Sequence, residues 1–275
     1  MTNSDTSGAP IVLAFSGGLD TSFCVPWLKE TYGRPVATVT INTGGLDGAG
    51  AADLEARALA LGAQEHVLVE ARPRFFDQVL RYLVAGNVRR GHLYPLCVGA
   101  ERGIQAALMA EVAGERDSDT VAHGCTAAGN DQVRFEIALR TINPGLEVLA
   151  PVRDHAFQRD EQVSFLEQRK LPVPAKGSAY SINRGLWGVT IGGTETLDSK
   201  GSIPEDAWVL SPGALDNPRD AETHTIGFHE GVPVSLDGKT MDPVALIEAV
   251  EALAAPFGIG RGIHLGDTVL GTKGR

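Results

Sequence analysis

The sequence predicts an α/β fold, a doubly wound parallel sheet with a second, smaller α+β domain, and three observations carry that reading. Ile11 to Phe15 is an apolar run of strand length that ends on a glycine-rich turn, the pattern of a strand buried on both faces of a parallel sheet. Apolar runs and helical patterns then alternate, and such βαβα order builds a doubly wound sheet. After Pro151 the alternation is lost to prolines and glycines, so the boundary between residues 1–171 and 172–275 is placed near Pro172 and Pro174.

Each element follows from its residues. Beyond the first turn a helix is expected to about Tyr32, kinked near its start because Pro26 has no N–H to bond back one turn. Pro35 to Ile41 reads as the second strand. Ala51 to Leu61 reads as a helix with Leu54, Ala58 and Leu61 on one stripe, and His66 to Val69 as the third strand. An aromatic-rich helix near Phe75 to Leu83, an alanine-rich helix near Ala100 to Ala113, a strand at Thr120 to Ala122 and a helix after Asn130 continue the series. In the second part, Gly177 to Gly201 shows no period. Thr223 to Phe228 and Val232 to Leu236 form a hairpin pattern around Glu230-Gly231, Asp237-Gly238 marks a turn, and a helix runs from Asp242 to about Ala255.

Composition narrows the function classes. The 275 residues carry 24 basic against 34 acidic side chains, a net charge of −10, with no Lys/Arg cluster to track a phosphate backbone, so nucleic acid is not an expected partner. No run of 18 apolar residues is present and Met1 to Pro10 is small and polar, so neither a membrane span nor a leader is expected and the expected compartment is the cytoplasm. Cys24, Cys97 and Cys125 are widely spaced, without a Cys-x-x-Cys pair, and are read as reduced packing thiols.

Two stretches carry chemistry. At Ser16-Gly17-Gly18-Leu19-Asp20-Thr21-Ser22 a buried strand opens into a helix, which aims backbone N–H groups, a helix N-terminus and hydroxyls at one point, an anion site. The loop lacks the Gly-Lys-[Ser/Thr] ending, so it is not of the Walker type, and no Gly-x-Gly-x-x-Gly follows the strand, so a dinucleotide site is not indicated. The second stretch, His123 to Glu136, follows the strand at Val121. A helix starting near Asn130 projects Asn130, Asp131 and Arg134 near its first turn, with Val133 and Ile137 expected to face the core, and there an amide, a carboxylate and a guanidinium suit a zwitterionic amino acid. The plainer reading leaves Asn130 as a helix cap and Arg134 in an ordinary ion pair.

AFSGGLDTS (14–22), YPL (94–96), AHGCTAAGNDQVRFE (122–136), LAPVRD (149–154) and YSIN (180–183) together resemble the argininosuccinate synthase family of N-type ATP pyrophosphatases, in order and spacing, from about Ile11 to Arg275. The resemblance implies an adenine nucleotide alpha hydrolase-like sheet and an ATP-dependent ligase of arginine biosynthesis. It would join citrulline, or a modified citrulline, to aspartate through citrullyl-AMP, with Mg²⁺ held by Asp20. It further implies an ATP site at Ala14, Ser16, Gly17, Gly18, Asp20, Thr21, Ser22, Ile41 and Gly124. The aspartate site would be Thr126, Asn130 and Asp131, and the citrulline site Tyr94, Asn130, Arg134, Ser181 and Thr190, with Arg102 matching a family arginine. Asp20, Ser16, Ser22, Asp131 and Arg134 are the residues expected to carry the chemistry.

The chain departs from the family pattern at several places. Val98-Gly99 stands for a Thr-Ser pair, Ala128 for a lysine, Arg184-Gly185 for Glu-Asn, and Gly266 for a citrulline-binding glutamate, with His264 and Asp267 as candidate substitutes. Relative to the family, the sequence stops at Arg275, ahead of a segment with a substrate-binding tyrosine and an assembly helix. A homo-oligomer smaller than a tetramer, and weaker binding of the ureido substrate, are therefore expected. The competing readings are a nucleotide-binding homologue with lost or altered activity and another N-type pyrophosphatase, such as a tRNA-modifying enzyme.

Overall fold

The computed structural model describes residues 8–127, 130–174, 180–198 and 200–263. Its first part is one parallel sheet of five strands, β1 (Ile11–Ala14), β2 (Val36–Asn42), β3 (Glu65–Glu70), β4 (Thr120–Ala122) and β5 (Glu147–Leu149), in the order β3-β2-β1-β4-β5. The chain winds outward from β1 to β3, returns to place β4 on the other side of β1, and ends at β5. The expected doubly wound sheet is therefore present, and its winding reverses between β1 and β4. That reversal opens a crevice at the carboxyl ends of the strands, where ligands of such sheets bind.

Helices α1 (Leu19–Tyr32), α2 (Gly48–Ala60), α5 (Cys97–Gly114) and α6 (Asp131–Ile142) cover the sheet. Ile11 and Leu13 point to one face, packing with Phe23, Leu28 and Leu166. Val12 and Val39 point to the other, packing with Met109, Val121, Phe135 and Leu139. Both faces of β1 are thus sealed, as its unbroken apolar run requires. Helix α1 continues through Pro26, which leaves the Ser22 carbonyl without its usual donor. The expected single helix near Phe75 is three consecutive segments, α3 (Arg72–Phe75), a π-helical turn (Phe76–Leu80) and α4 (Arg81–Ala85).

Three elements escaped the sequence pattern: β5, the short helix α7 (Pro151–Asp154) and the helix α8 (Arg159–Gln168), which opens on a reciprocal Gln158/Glu161 capping box. The stretch expected to lack regular structure contains a hairpin, β6 (Ser181–Gly185) and β7 (Gly188–Gly192), paired antiparallel. The later strands, β8 (Ile226–His229), β9 (Val232–Leu236) and β10 (Lys239–Thr240), form a small antiparallel sheet. Its turns, Glu230-Gly231 and Asp237-Gly238, have positive φ at both residues, as tight hairpins demand. Asp242 caps α9 (Pro243–Ala254), accepting from the Val244 and Ala245 N–H groups at 2.9 and 3.4 Å. The antiparallel α+β part is smaller than the parallel sheet layer, as expected. No helix among the described residues is long and apolar enough to cross a membrane.

Candidate active site

The loop between β1 and α1 is shaped by its glycines and held by one hydroxyl. Gly17 has φ +72°, and a Cβ there would lie 2.5 Å from Leu54 Cδ2 of α2, so only glycine fits. The Gly17 carbonyl accepts from Arg57 Nη1 at 2.8 Å, which ties the loop to α2. Thr21 Oγ1 accepts from the Ser16 N–H at 3.3 Å, donates to the Gly18 carbonyl at 3.2 Å, and lies 3.2 Å from Ser16 Oγ. Gly18 is the N-cap of α1 and brings no side chain to the cap, so the first turn of α1 has no side-chain partner there, the arrangement that suits an anion.

The loop after β4 closes the other side of the crevice. A Cβ at Gly124 would lie 3.0 Å from Thr21 Cγ2 and 3.1 Å from the Thr21 nitrogen, so glycine lets the two loops approach. His123, 1% exposed, accepts from the Cys125 N–H at Nδ1 (3.3 Å), which leaves the ring proton on Nε2, where it has no hydrogen-bond partner. Burial, reinforced by the nearby Arg153 charge, lowers its pKa to about 4, so the imidazole is neutral.

Between these loops lies a cavity of about 450 Å³. Of the residues matched to ATP, Ala14, Ser16, Gly18, Asp20, Thr21, Ile41 and Gly124 line it. Gly17 is turned against Leu54, and Ser22 is wholly buried in α1 with its hydroxyl lacking a hydrogen-bond partner, so neither reaches the cavity wall. Asp20 is steadied by α8, where Gln162 Nε2 donates to its Oδ1 at 2.9 Å.

At the opposite end stands a charge cluster joining α5 and α6. Arg102 Nη2 meets Asp131 Oδ2 at 3.0 Å, and Arg134 Nη1 meets Asp131 Oδ1 at 2.7 Å. Burial pushes the Asp131 carboxyl up, but the two guanidiniums outweigh it and hold the pKa below the usual carboxylate value. The remaining Arg102 bonds go to Gln105 Oε1 at 2.8 Å and Asn183 Oδ1 of β6 at 3.2 Å. Arg102 and Asp131 line the cavity.

The other sequence-assigned residues are more dispersed. Asn130 is the N-cap of α6. Thr126 lines a second depression that shares Asp20 with the first and adds Arg153 and Gln162. Tyr94 is buried beneath α5, its hydroxyl accepting from the Val98 and Gly99 N–H groups at 3.2 and 3.4 Å, and so serves the helix start. Ser181 opens β6, and Thr190 of β7 pairs in register with Asn183, whose neighbours line the cavity. His264, Gly266 and Asp267, like Ala128, lie outside the described residues.

The structure also adds wall residues that pattern reading passed over, among them Thr43, Glu101, Gln105 and Asn183. The overlooked signal was Thr43-Gly44-Gly45 directly after β2, at the carboxyl edge of the sheet. Gly44 (φ +122°) could carry no side chain, since a Cβ would lie 2.2 Å from the Leu186 nitrogen between β6 and β7. The hairpin is thereby clamped over the crevice, and Leu186 N–H donates to the Thr43 carbonyl at 2.8 Å.

The fold and this crevice define a doubly wound α/β protein with a glycine-rich strand-to-helix loop at the sheet's switch point and a carboxylate-guanidinium cluster lining the same cavity. The chain belongs to the argininosuccinate synthase family. The family's N-terminal HUP domain matches residues 10–172 and its C-terminal domain residues 180–275. The argininosuccinate synthase of Symbiobacterium thermophilum is 39% identical over 269 residues, covering 96% of this chain and 66% of that protein. That of Sulfurisphaera tokodaii is 36% identical over 265 residues, covering 96% and 67%. The chain thus spans about two thirds of the length of the curated relatives it matches. Among solved structures, the NH3-dependent NAD synthetase of Campylobacter jejuni, in complex with the nitrate ion, is similar over 61% of this chain and 66% of that one. The TM-score is 0.40 and the identity 13%.

Proposed function

We propose that this chain carries the ligase chemistry of its family, activating the ureido oxygen of citrulline with ATP and joining the product to aspartate. The observation that carries the reading is that one cavity is lined both by the first loop (Ser16, Gly18, Asp20, Thr21) and by the Arg102–Asp131 pair. A triphosphate at one end and a zwitterion at the other would bring their reacting atoms together between them.

In this reading the ATP phosphates lie on the N–H groups of Gly18 and the first turn of α1, and the nucleoside lies against Ala14, Ile41 and Gly124. Among the described residues no three His, Cys, Asp or Glu side chains gather as a metal cluster. Mg²⁺ fits this site as an ion held by the single carboxylate of Asp20 together with phosphate oxygens and water, the usual manner for Mg²⁺ on a nucleotide, and it would neutralise charge on the pyrophosphate. The ureido oxygen bonds to the α-phosphorus as the bond from that phosphorus to the bridging oxygen breaks, releasing pyrophosphate. The aspartate amine then bonds to the ureido carbon, loses a proton, and AMP departs with the former ureido oxygen.

Asn130, Asp131 and Arg134 are assigned to the two amino acids, with Thr126 on a carboxylate. Since both oxygens of Asp131 already meet guanidiniums, its role toward an ammonium is shared with holding Arg102 and Arg134 in place. Ser16 is assigned to the phosphates and, through Thr21, to the shape of the loop. The test is pyrophosphate release: it should require citrulline, and Asp20→Asn should lower it about a hundredfold with the unfolding midpoint unchanged. Release that ignores citrulline, or that survives Asp20→Asn, would remove this reading.

A further inference from the structure

Glu101 stands in an unusual position. It lies in the first turns of α5, 3% exposed, in the wall of the cavity between Thr43 and the Arg102–Asp131 cluster. Its Oε1 has no hydrogen-bond partner, and its Oε2 is 3.7 Å from Arg102 Nη1, too far for a hydrogen bond. Arg102 spends both terminal nitrogens elsewhere, on Gln105, Asn183 and Asp131. The carboxyl fits only because residue 185 is glycine: a Cβ there would lie 1.7 Å from Glu101 Oε1. The Thr43 side chain hydrogen-bonds the carboxyl, yet Oε1 finds no donor among the described residues, and a buried carboxylate oxygen left so is costly.

We propose that Glu101 is a substrate-recognition residue whose free carboxylate oxygen receives the α-ammonium of the amino acid that enters the cavity opposite the nucleotide. Rotation about the last side-chain bond, a broad torsion for glutamate, turns Oε1 away from Gly185 and toward the cavity. An ammonium bound there supplies the missing donor and a balancing positive charge, while the Arg102 guanidinium beside it attracts the ligand's carboxylate. A divalent cation is a poorer occupant, because it takes several oxygen ligands and no cluster of three acidic, His or Cys side chains surrounds this point among the described residues. Burial shifts the carboxyl up to about 7, against the pull of Arg102 and the Thr43 hydrogen bond, so pairing with a cation would restore its charge.

The inference rests on the cavity's proposed use for an amino acid, and the experiment separates the two. Citrulline, ornithine, arginine and des-amino citrulline are titrated calorimetrically into the full chain saturated with a non-hydrolysable ATP analogue, for the wild type, Glu101→Gln and Glu101→Asp. Citrulline should bind wild type, lose at least tenfold in affinity in Glu101→Gln and less in Glu101→Asp. Its des-amino analogue should bind weakly and equally to all three, and the ATP analogue should bind all three within twofold. Equal citrulline affinity in wild type and Glu101→Gln overturns the assignment and leaves the ligase reading intact. Glu101-dependent binding of ornithine or arginine, with citrulline excluded, sustains the assignment and overturns the ligase reading. Binding of none of the four overturns the assignment.

Discussion

Two neighbouring glycines of the first loop should fail in opposite ways. Gly17→Ala forces a side chain into the left-handed region at φ +72°, at a cost of about 1–2 kcal/mol. It also drives a methyl group to within 2.5 Å of Leu54 Cδ2, and overpacking of that kind costs about 1–3 kcal/mol. The expected loss of stability is therefore about 2–5 kcal/mol. Gly18→Ala has an ordinary φ of −73° and meets nothing nearer than Ser16 Oγ at 3.5 Å. Loss of a preferred N-cap and gain of a stiffer unfolded chain should offset to within about 1 kcal/mol. Gly18, however, lines the cavity at the start of α1, so its methyl group would stand where phosphates approach, and ATP affinity should fall at least about tenfold, or 1.4 kcal/mol. Denaturant unfolding measures the first effect and calorimetric ATP titration the second. A Gly17→Ala protein as stable as wild type, or a Gly18→Ala protein that binds ATP undiminished, would refute the assignment of one glycine to the frame and the other to the anion site.

Asp131→Asn should raise the Michaelis constant for aspartate by about tenfold or more while keeping the fold, whereas Asp131→Ala should also lower the unfolding midpoint, since it strips Arg102, 9% exposed, of its ion partner; steady-state kinetics beside thermal unfolding distinguishes the two. Stability should respond to pH through two buried groups of opposite sign. Glu101 is raised from its ordinary 4.5 to about 7, so its protonated form stabilises fully below pH 4.5 and that contribution, of order 3 kcal/mol, is lost as pH rises through 7. His123 is lowered from 6.5 to about 4, so its neutral form contributes above pH 6.5 and the contribution is lost as pH falls through 4. Unfolding free energies from pH 4 to 8 should rise toward neutral pH more steeply in Glu101→Gln than in wild type, and less steeply in His123→Asn.

The sheet was legible because β1 is an unbroken apolar run and β2 is rich in β-branched residues between two turn signals. Helices α5 and α6 were legible as helices, but the inward face of α6 was not: Ile137, expected in the core, is 61% exposed, and Gln132, Phe135 and Leu139 are the buried residues, because α6 packs on β4 and α5 with its other side. β5 is as short as β4 but opens on the exposed Glu147 rather than in a fully buried run, and α8 is mostly polar, so its start was written only in the Gln158/Glu161 box. The β6–β7 hairpin was hidden by its glycines: Gly185, Gly188 and Gly192 suggest irregular chain, yet Gly185 is glycine to make room for Glu101, and Gly44 to make room for Leu186. Within the site, the loop Ser16 to Ser22 was readable from local chemistry, but which of its members face the cavity was not, because Leu54 and Arg57 of a later helix turn Gly17 away. Glu101 was invisible for the same reason, since its environment is assembled from β2, α5 and β6.

The central claim is that the cavity joins a nucleotide to a ureido amino acid through oxygen attack on the α-phosphorus. Citrulline labelled with ¹⁸O at the ureido position, incubated with the chain, ATP, Mg²⁺ and aspartate, tests it by mass spectrometry of the products. Transfer of the label into AMP, with none in pyrophosphate, is the predicted result; AMP that forms without the label, or pyrophosphate release indifferent to citrulline, would contradict it.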